Sequence, residues 1–187
     1  MEGYDVLEIH TLLNPKVSNY GDARGGTPNV TPEMVAASLA RAPDGARALI
    51  RVMVGDTSSW AALKREYRRA FTIEANRRRW KPGPTLPKYL DGIAHTALML
   101  YVHPPMCRRC KGRGSVLPRG HEVPITCPVC QGAKIRDINE ADKAQMAGIP
   151  YSTWRDTWED RYKDAVAILH EWEDEADRAT KRVFWDA

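Results

Sequence analysis

The sequence predicts a mainly α-helical chain with a helix-turn-helix and an inserted four-cysteine zinc module that contains a short β-hairpin. Three observations predict it: apolar residues recur at helical spacing, two Cys-x-x-Cys pairs lie close together, and a turn of small residues separates a short helix from a long one. The predicted divisions are an irregular segment (1–30), a helical region (31–103), the zinc module (104–137), and the helix-turn-helix with a long C-terminal helix that packs on 31–103 (138–187).

The helical region carries recognisable start and stop signals. Thr31 is a good N-cap residue before Pro32, and a serine, Ser58 or Ser59, occupies the same position before the next long apolar stripe. That stripe predicts a helix over WAALKREYRRAFTIEANRRRW, with apolar residues at Trp60, Leu63, Tyr67, Ala70, Phe71 and Ile73. A second helix is predicted over LPKYLDGIAHTALMLYV, and it ends at the prolines of HPP because proline cannot continue the hydrogen-bond ladder.

Composition excludes several classes of protein. The net charge of +4, with 43% hydrophobic and 28% charged residues, is ordinary for a soluble globular chain. No stretch approaches the ~18 apolar residues of a membrane span, and MEGYDVLEIH lacks the basic-then-apolar pattern of a signal sequence. We therefore expect a cytoplasmic protein with no membrane partner, in which thiols stay reduced and four cysteines indicate a metal site.

The cysteines form two pairs, CRRC at 107–110 and CPVC at 127–130, with 16 residues between them. This spacing fits one zinc ion held by two Cys-x-x-Cys turns, whereas reduced cysteines without a metal explain neither the pairing nor the glycines that follow it. The predicted ligands are Cys107, Cys110, Cys127 and Cys130. Four thiolates leave no open coordination position, so the ion is expected to be structural and not catalytic. His103 and His121 lie nearby but are not needed as ligands.

The zinc module is strongly basic. Seven cations stand against one acid, Glu122, which leaves a net charge of +6 over residues 107–136. Solvated surfaces often carry such charge, but on a rigid metal-held turn it suits contacts to nucleic-acid phosphates. The candidate DNA-binding residues here are Arg108, Arg109, Lys111, Arg113, Arg119, Lys134 and Arg136.

The segment INEADKAQMAGIPYSTWRDTW has the pattern of a helix-turn-helix, in which Asn139 caps a short helix through Met146. Ala144 and Gly148 have the spacing of a close helix crossing and its turn, and Trp154 is expected to pack back on the first helix. An ordinary helical hairpin shares this spacing, so the DNA-binding interpretation depends on the basic module beside it. The candidate contacts on the second helix are Tyr151, Ser152, Thr153, Arg155 and Asp156. Arg155 is the best candidate for guanine, because a guanidinium binds its major-groove edge through two hydrogen bonds.

The second helix continues far beyond recognition length. Its apolar stripe comprises Trp154, Trp158, Tyr162, Ala165, Leu169, Trp172 and Ala176. This stripe predicts packing on the N-terminal helices. The opposite face is acidic, so it is expected to point away from DNA and to be available to a protein.

The region from about residue 90 to 175 resembles the lambda-type bacteriophage late-gene antitermination protein Q family. The likeness comprises the helix before the cysteines, CRRCKGRG, CPVCQGAKI, and IPYSTWRDTWEDRYKDAV as turn and long helix. The CxxCxGxG motif alone also resembles the cysteine-rich module of DnaJ-type co-chaperones. That module repeats the motif four times, whereas this chain has two copies and no HPD-bearing hairpin.

The resemblance implies a transcription antitermination factor that is not an enzyme. Such a factor binds DNA at a phage late promoter, engages paused RNA polymerase and makes it resistant to pausing and termination. The implied partners are duplex DNA, bacterial RNA polymerase with its sigma factor, and nascent RNA, in the cytoplasm of the bacterial host. In that setting the basic residues Arg68, Arg69 and Arg77–Arg79 face DNA or RNA. Two alternatives remain open: a zinc-stabilised, co-chaperone-like module that binds polypeptides, and a simple helix-turn-helix repressor.

Overall fold

A computed structural model of the chain describes residues 32–80, 86–118 and 122–184. Predictions on the segment 1–30, on Thr31, and on Arg119 and His121 lie outside these residues.

The described residues are mainly helical, as predicted. The first helices are α1 (Pro32–Leu39), α2 (Asp44–Met53), a 3₁₀ turn (Thr57–Ser59), α3 (Trp60–Arg77) and α4 (Leu86–Val102). The cysteine module follows, with an antiparallel hairpin of β1 (Ser115–Val116) and β2 (Ile125–Thr126). The remaining elements are α5 (Glu140–Met146), α6 (Tyr151–Thr153), a π-helical turn (Trp154–Trp158) and α7 (Glu159–Phe184). The prediction of a helical chain with a four-cysteine insert and a short hairpin is confirmed.

The described residues form two compact units. One contains 32–80 together with 164–184, and the other contains 86–118 and 122–163. Helix α4, the cysteine module and α5 belong to the same unit. Helix α7 begins in this unit and continues into the other.

Helix α3 supplies much of the core of the first unit. Its residues Leu63, Tyr67 and Phe71 are buried at a spacing of four, which is the inward face of a helix. The Tyr67 hydroxyl donates a 2.7 Å hydrogen bond to the carbonyl of Ala165, and its ring packs edge-on against Trp172. Two features of α3 differ from the prediction: the side chain that caps the turn before it, and the exposure of Ile73.

The carboxylate of Asp56, and not a serine side chain, caps the turn that leads into α3. It accepts hydrogen bonds from the Ser58 amide at 3.0 Å and from the Ser59 hydroxyl at 2.8 Å. Ser59 itself makes no side-chain capping bond. Hydrogen bonds from the hydroxyls of Ser58 and Ser59, and from the Ser58 amide, hold the pKa of Asp56 below its ordinary value. Ile73, expected in the apolar stripe, lies on the outer face with 58% of its surface exposed.

In the second unit α4 and α5 cross with almost no space between their backbones. A Cβ atom at Gly92 would lie 2.0 Å from the carbonyl oxygen of Ala147, so only glycine fits there. The α4 residues Ile93, Ala97 and Leu98 next to this crossing are buried. None of the helices in the described part of the chain combines the length and apolar character of a membrane span.

Candidate metal centre and its basic surroundings

The four cysteines meet at one point in the second unit, as their spacing predicts. Their sulfur atoms all lie within 4.8 Å of one another. Cys107 Sγ is 3.9 Å from Cys127 Sγ, and Cys110 Sγ is 3.7 Å from Cys130 Sγ. A tetrahedral ion with sulfur ligands at about 2.3 Å requires sulfur–sulfur separations of about 3.8 Å. Disulfide sulfurs lie at about half that separation. The arrangement therefore fits a structural metal ion bound by four thiolates.

The two Cys-x-x-Cys turns are related by an approximate two-fold symmetry. The amide of Cys107 donates to the carbonyl of Lys134 and that of Cys127 to the carbonyl of Gly114, both at 2.8 Å. The β1–β2 hairpin has its counterpart in a single antiparallel bridge between Met106 and Ile135. Residues 20 apart in sequence thus play equivalent roles. The two turns therefore repeat the same backbone hydrogen bonds around the metal site as well as the same cysteine ligands.

Backbone conformations that favour glycine occur after both cysteine pairs. Gly114 has φ +78°, and a Cβ there would lie 3.1 Å from the carbonyl oxygen of Gly132 in the other turn. Lys134 occupies the position equivalent to Gly114 and adopts φ +66° without being glycine. The second motif, which departs from glycine in the sequence, therefore keeps the same turn.

Burial and backbone amides shift the pKa values of two of the thiols in different directions. Burial opposes ionisation of Cys110, but the amides of Gly114 and Gly112 and the neighbouring thiols lower its pKa to about 7. Burial raises the pKa of Cys130 to about 11, and the neighbouring Cys110 and Cys127 add to this effect. Four thiolates this close together therefore require a cation, and binding of the ion displaces their protons.

The basic residues predicted around the metal site lie at the surface. Arg108, Arg109, Lys111, Arg113 and Lys134 are exposed, whereas Arg136 is half-buried. Within the described residues none of these six forms an ion pair with a carboxylate. The structure thus provides a cationic surface on the metal-held turns.

A cleft of about 670 Å³ lies between the second cysteine turn and the neighbouring helices. Val129 and Ile135 line it from the cysteine module, and Leu100, Lys143 and Tyr162 line it from α4, α5 and α7. These residues belong to one compact unit, so the cysteine turns lie beside the helices that line the cleft.

The segment predicted as a helix-turn-helix contains a short helix, a turn and the start of a long helix. The Asn139 side chain accepts a 2.8 Å hydrogen bond from the Asp142 amide and so caps α5, as predicted. Ala144 is fully buried, and Gly148 has φ +66° in the turn. Trp154 is also fully buried, and its indole N–H donates a 2.9 Å hydrogen bond to Glu140 Oε2.

The start of the second helix departs from regular α geometry. The amide of Glu159 bonds to the carbonyl of Trp154, five residues earlier, in a π-helical turn. Tyr151, Ser152, Arg155 and Asp156 are exposed, and Thr153 is half-buried. The Nε atom of Arg155 lies 3.3 Å from the Oδ1 atom of Asp156, its neighbour in sequence. Since both side chains are exposed, this weak pair leaves the guanidinium available to another anion.

Sequence reasoning missed two residues that position these elements. Gly92 sets the distance between α4 and α5. Glu140 accepts hydrogen bonds from the indole N–H of Trp154 and, at 2.7 Å, from the amino group of Lys143, and so joins these two side chains. The sequence could have indicated a role for Glu140, because an acid in the first turn of a helix is favourable. It could not have indicated the role of Gly92, since the residue that Gly92 contacts is 55 residues away in the sequence.

The chain matches no protein-family model and none of the curated proteins with which it was compared.

Proposed function

We propose that the chain is a DNA-binding transcription antitermination factor that loads at a phage late promoter, engages paused bacterial RNA polymerase and makes it resistant to pausing and termination. It acts by binding and not as an enzyme. The observation that carries the proposal is that the cationic four-thiol module and the helix pair with its exposed polar start belong to one compact unit. These are the same segments on which the resemblance to the antitermination family rests.

The metal ion in this proposal is one structural zinc. Tetrahedral sites with four sulfur ligands take zinc or iron, and the geometry suits an ion that has no open position for substrate. Its role is to hold Arg108, Arg109, Lys111 and Arg113 on a rigid turn. There they contact phosphates, which supply affinity without reading sequence.

Sequence recognition is assigned to the first turns of the helix after Gly148. In a helix-turn-helix this end of the second helix enters the major groove. The exposed Ser152 and Arg155 suit phosphate or base contacts, whereas the buried Trp154 holds the helix against α5. The π-helical turn supports this assignment, because such turns occur often at functional sites.

The polymerase contact is assigned to surfaces that repel DNA. Glu171 and Asp174 of α7 are exposed acids. Other acids of this helix are already compensated, since Asp164 pairs with Arg78 at 2.8 Å and Asp177 with Lys181 at 2.6 Å. The remaining acidic surface suits a basic protein partner better than a nucleic acid.

The proposal is tested by transcription past a terminator. We first select the preferred duplex from a randomised DNA pool with the purified, metal-loaded chain. The selected site is then placed at the promoter of a template for bacterial RNA polymerase, and transcripts are measured upstream and downstream of a terminator. Longer transcripts only when the site lies at the promoter are expected. Binding of the site without any change in read-through would contradict antitermination and leave the simple repressor.

Arg155→Ala is expected to lower affinity for the selected duplex by about 1–3 kcal/mol at one base pair, because the guanidinium there makes a bidentate contact. Affinity is measured by fluorescence anisotropy on the selected site and on single-base variants of it. Thr157→Ala, at an exposed position two residues further along, is the matched control. An equal loss on every duplex would reduce Arg155 to a phosphate contact.

One observation favours a second candidate, the co-chaperone-like polypeptide-binding module. The cysteine module exposes several large apolar side chains, among them Met106, Val123 and Val129, each more than 60% exposed. Exposed apolar side chains are typical of surfaces that bind other proteins. Suppression of aggregation of a denatured client, together with DNA binding that is insensitive to salt, would favour this function over the first.

A further inference from the structure

The start of the second helix, residues 151–158, is attached to the rest of its unit by few side chains. Only Trp154 and Trp158 are buried in this stretch. Trp154 has no exposed surface, and it precedes Arg155 and follows Ser152 by two residues. Both of these exposed side chains are assigned to DNA in the proposed function. The direction in which they leave the helix therefore depends on how Trp154 is held.

Four side chains make a closed set of contacts around Trp154, and we call them the Glu140 cluster. Glu140 Oε2 accepts the indole N–H of Trp154 at 2.9 Å, and Glu140 Oε1 accepts the amino group of Lys143 at 2.7 Å. That amino group lies 5.3 Å from the centre of the Tyr162 ring. The Tyr162 ring is in turn 5.5 Å from that of Trp154, centre to centre. The cluster thus joins α5, the π-helical turn and α7.

The charge of Glu140 holds the cluster together. Partial burial opposes ionisation of this carboxyl, but the hydrogen bonds from Lys143 and Trp154 outweigh it and lower the pKa of Glu140. Burial, with the charge of Glu140, raises the pKa of Tyr162 to about 12. Its ring stays neutral at ordinary pH, so its face attracts the ammonium group of Lys143. Without the carboxylate, the buried indole would lose its acceptor, which is costly.

A general helix-stabilising role does not account for this arrangement. Any acid in the first turn of α5 interacts favourably with the helix dipole, and Asp142 is a second acid in that turn. The end of α5 is already capped by the side chain of Asn139. What distinguishes Glu140 is its hydrogen bond to Trp154, 14 residues further along the chain.

We infer that Glu140 is a positioning residue that sets the sequence selectivity of the chain, because it fixes Trp154 and with it the orientation of Arg155. The inference rests on the proposed function, in which this end of the helix reads DNA. Contacts of the cysteine module to phosphates supply affinity without reading sequence and do not involve the Glu140 cluster. Loss of the Glu140 carboxylate should therefore lower selectivity and leave non-specific binding in place.

Three variants and one control separate the indole hydrogen bond from charge alone. Glu140→Ala removes both hydrogen bonds of the carboxylate. Glu140→Gln keeps an oxygen that can accept the indole N–H but removes the charge that pairs with Lys143. Trp154→Phe removes the donor instead of the acceptor. Asp142→Ala is the matched control, because it removes the same charge from the same turn of α5 outside the cluster.

Selectivity is the ratio of affinities for the selected duplex and for a random-sequence duplex of equal length, both measured by fluorescence anisotropy on the metal-loaded chain. Glu140→Ala and Trp154→Phe should lower this ratio about fivefold or more, which is the smallest discrimination expected from one bidentate base contact. Their affinity for the random duplex should match that of Asp142→Ala. Glu140→Gln and Asp142→Ala should keep the ratio of the parent chain.

A second measurement does not involve DNA. Hydrogen exchange of the Trp154 indole N–H is followed by NMR on the ¹⁵N-labelled, metal-loaded chain. This N–H is buried and hydrogen-bonded, so it should exchange slowly in the parent chain and in Asp142→Ala. In Glu140→Ala it should exchange about tenfold faster or more, because its acceptor is lost.

An equal loss of affinity for both duplexes in Glu140→Ala would reduce Glu140 to a structural role and overturn the inference. So would an unchanged ratio, an unchanged indole exchange rate, or a Glu140→Gln variant as impaired as Glu140→Ala. In each of these cases the parent chain still prefers the selected duplex, so the proposed function stands. If the parent chain selects no duplex, the proposed function fails, and the inference fails with it.

Discussion

Cys107→Ser is expected to release the metal ion and unfold residues 104–137 while α3 keeps its structure. The buried cluster of the cysteine module consists of three of the cysteines, with Cys130 and Val116 packed against it. Its strands are two residues long. Metal binding must therefore supply most of its folding free energy, on the order of 10 kcal/mol for a four-thiol zinc site. A serine hydroxyl is a poor replacement for the thiolate.

Hydrogen exchange followed by mass spectrometry measures this effect peptide by peptide. Peptides from 104–137 should exchange rapidly in the variant, whereas peptides from 60–77 should stay protected as in the parent chain. Arg108→Ser is the matched control, because it places the same side chain one residue further along at an exposed position. A metal-free Cys107→Ser protein with unchanged protection over 104–137 would refute the structural role of the metal.

Gly92→Ala is expected to destabilise the unit that holds the metal centre by about 1–3 kcal/mol or more. In an open helix the same change stabilises by about 1 kcal/mol, so even the sign of the effect is informative. The added Cβ would lie 2.0 Å from the carbonyl oxygen and 2.9 Å from the carbonyl carbon of Ala147. Neither is a flexible side-chain end, so α4 and α5 must separate.

The free energy of unfolding is measured by urea titration of the metal-loaded protein. His95→Ala is the control, since His95 is exposed on the same helix and the change leaves the crossing untouched. A gain in stability for Gly92→Ala would mean that α4 and α5 do not pack as closely as described. The crossing also holds α5 and Trp154, so the destabilised variant should lose affinity for the selected duplex.

Local chemistry made much of the fold predictable. The metal ligands follow from the spacing of two Cys-x-x-Cys turns, and the start of α5 follows from Asn139, whose side chain needs only the residues next to it. The hairpin between the cysteine pairs is similarly local. These features depend on partners within about 20 residues, where spacing alone is informative.

Features that depend on distant partners were not predictable. Gly92 gave no sign of its contact with Ala147, and Ile73 fitted the apolar stripe of α3 although it lies on the outer face. The approximate symmetry of the cysteine turns was visible in the paired cysteines and in Gly112 and Gly132 after them. It was not visible at Lys134, which replaces a glycine of the repeat and still adopts a positive φ. The spacing of apolar residues in the sequence does not distinguish such residues from their neighbours.

The metal content of the protein as purified from cells tests the central claim most directly. Native mass spectrometry, without added metal, should show one zinc ion per folded chain, and the four thiols should resist alkylation until a chelator removes the ion. Chelation should also remove affinity for the selected duplex. A folded, metal-free chain whose four thiols are alkylated at once would contradict the metal centre and, with it, the rigid cationic surface on which the proposed function depends.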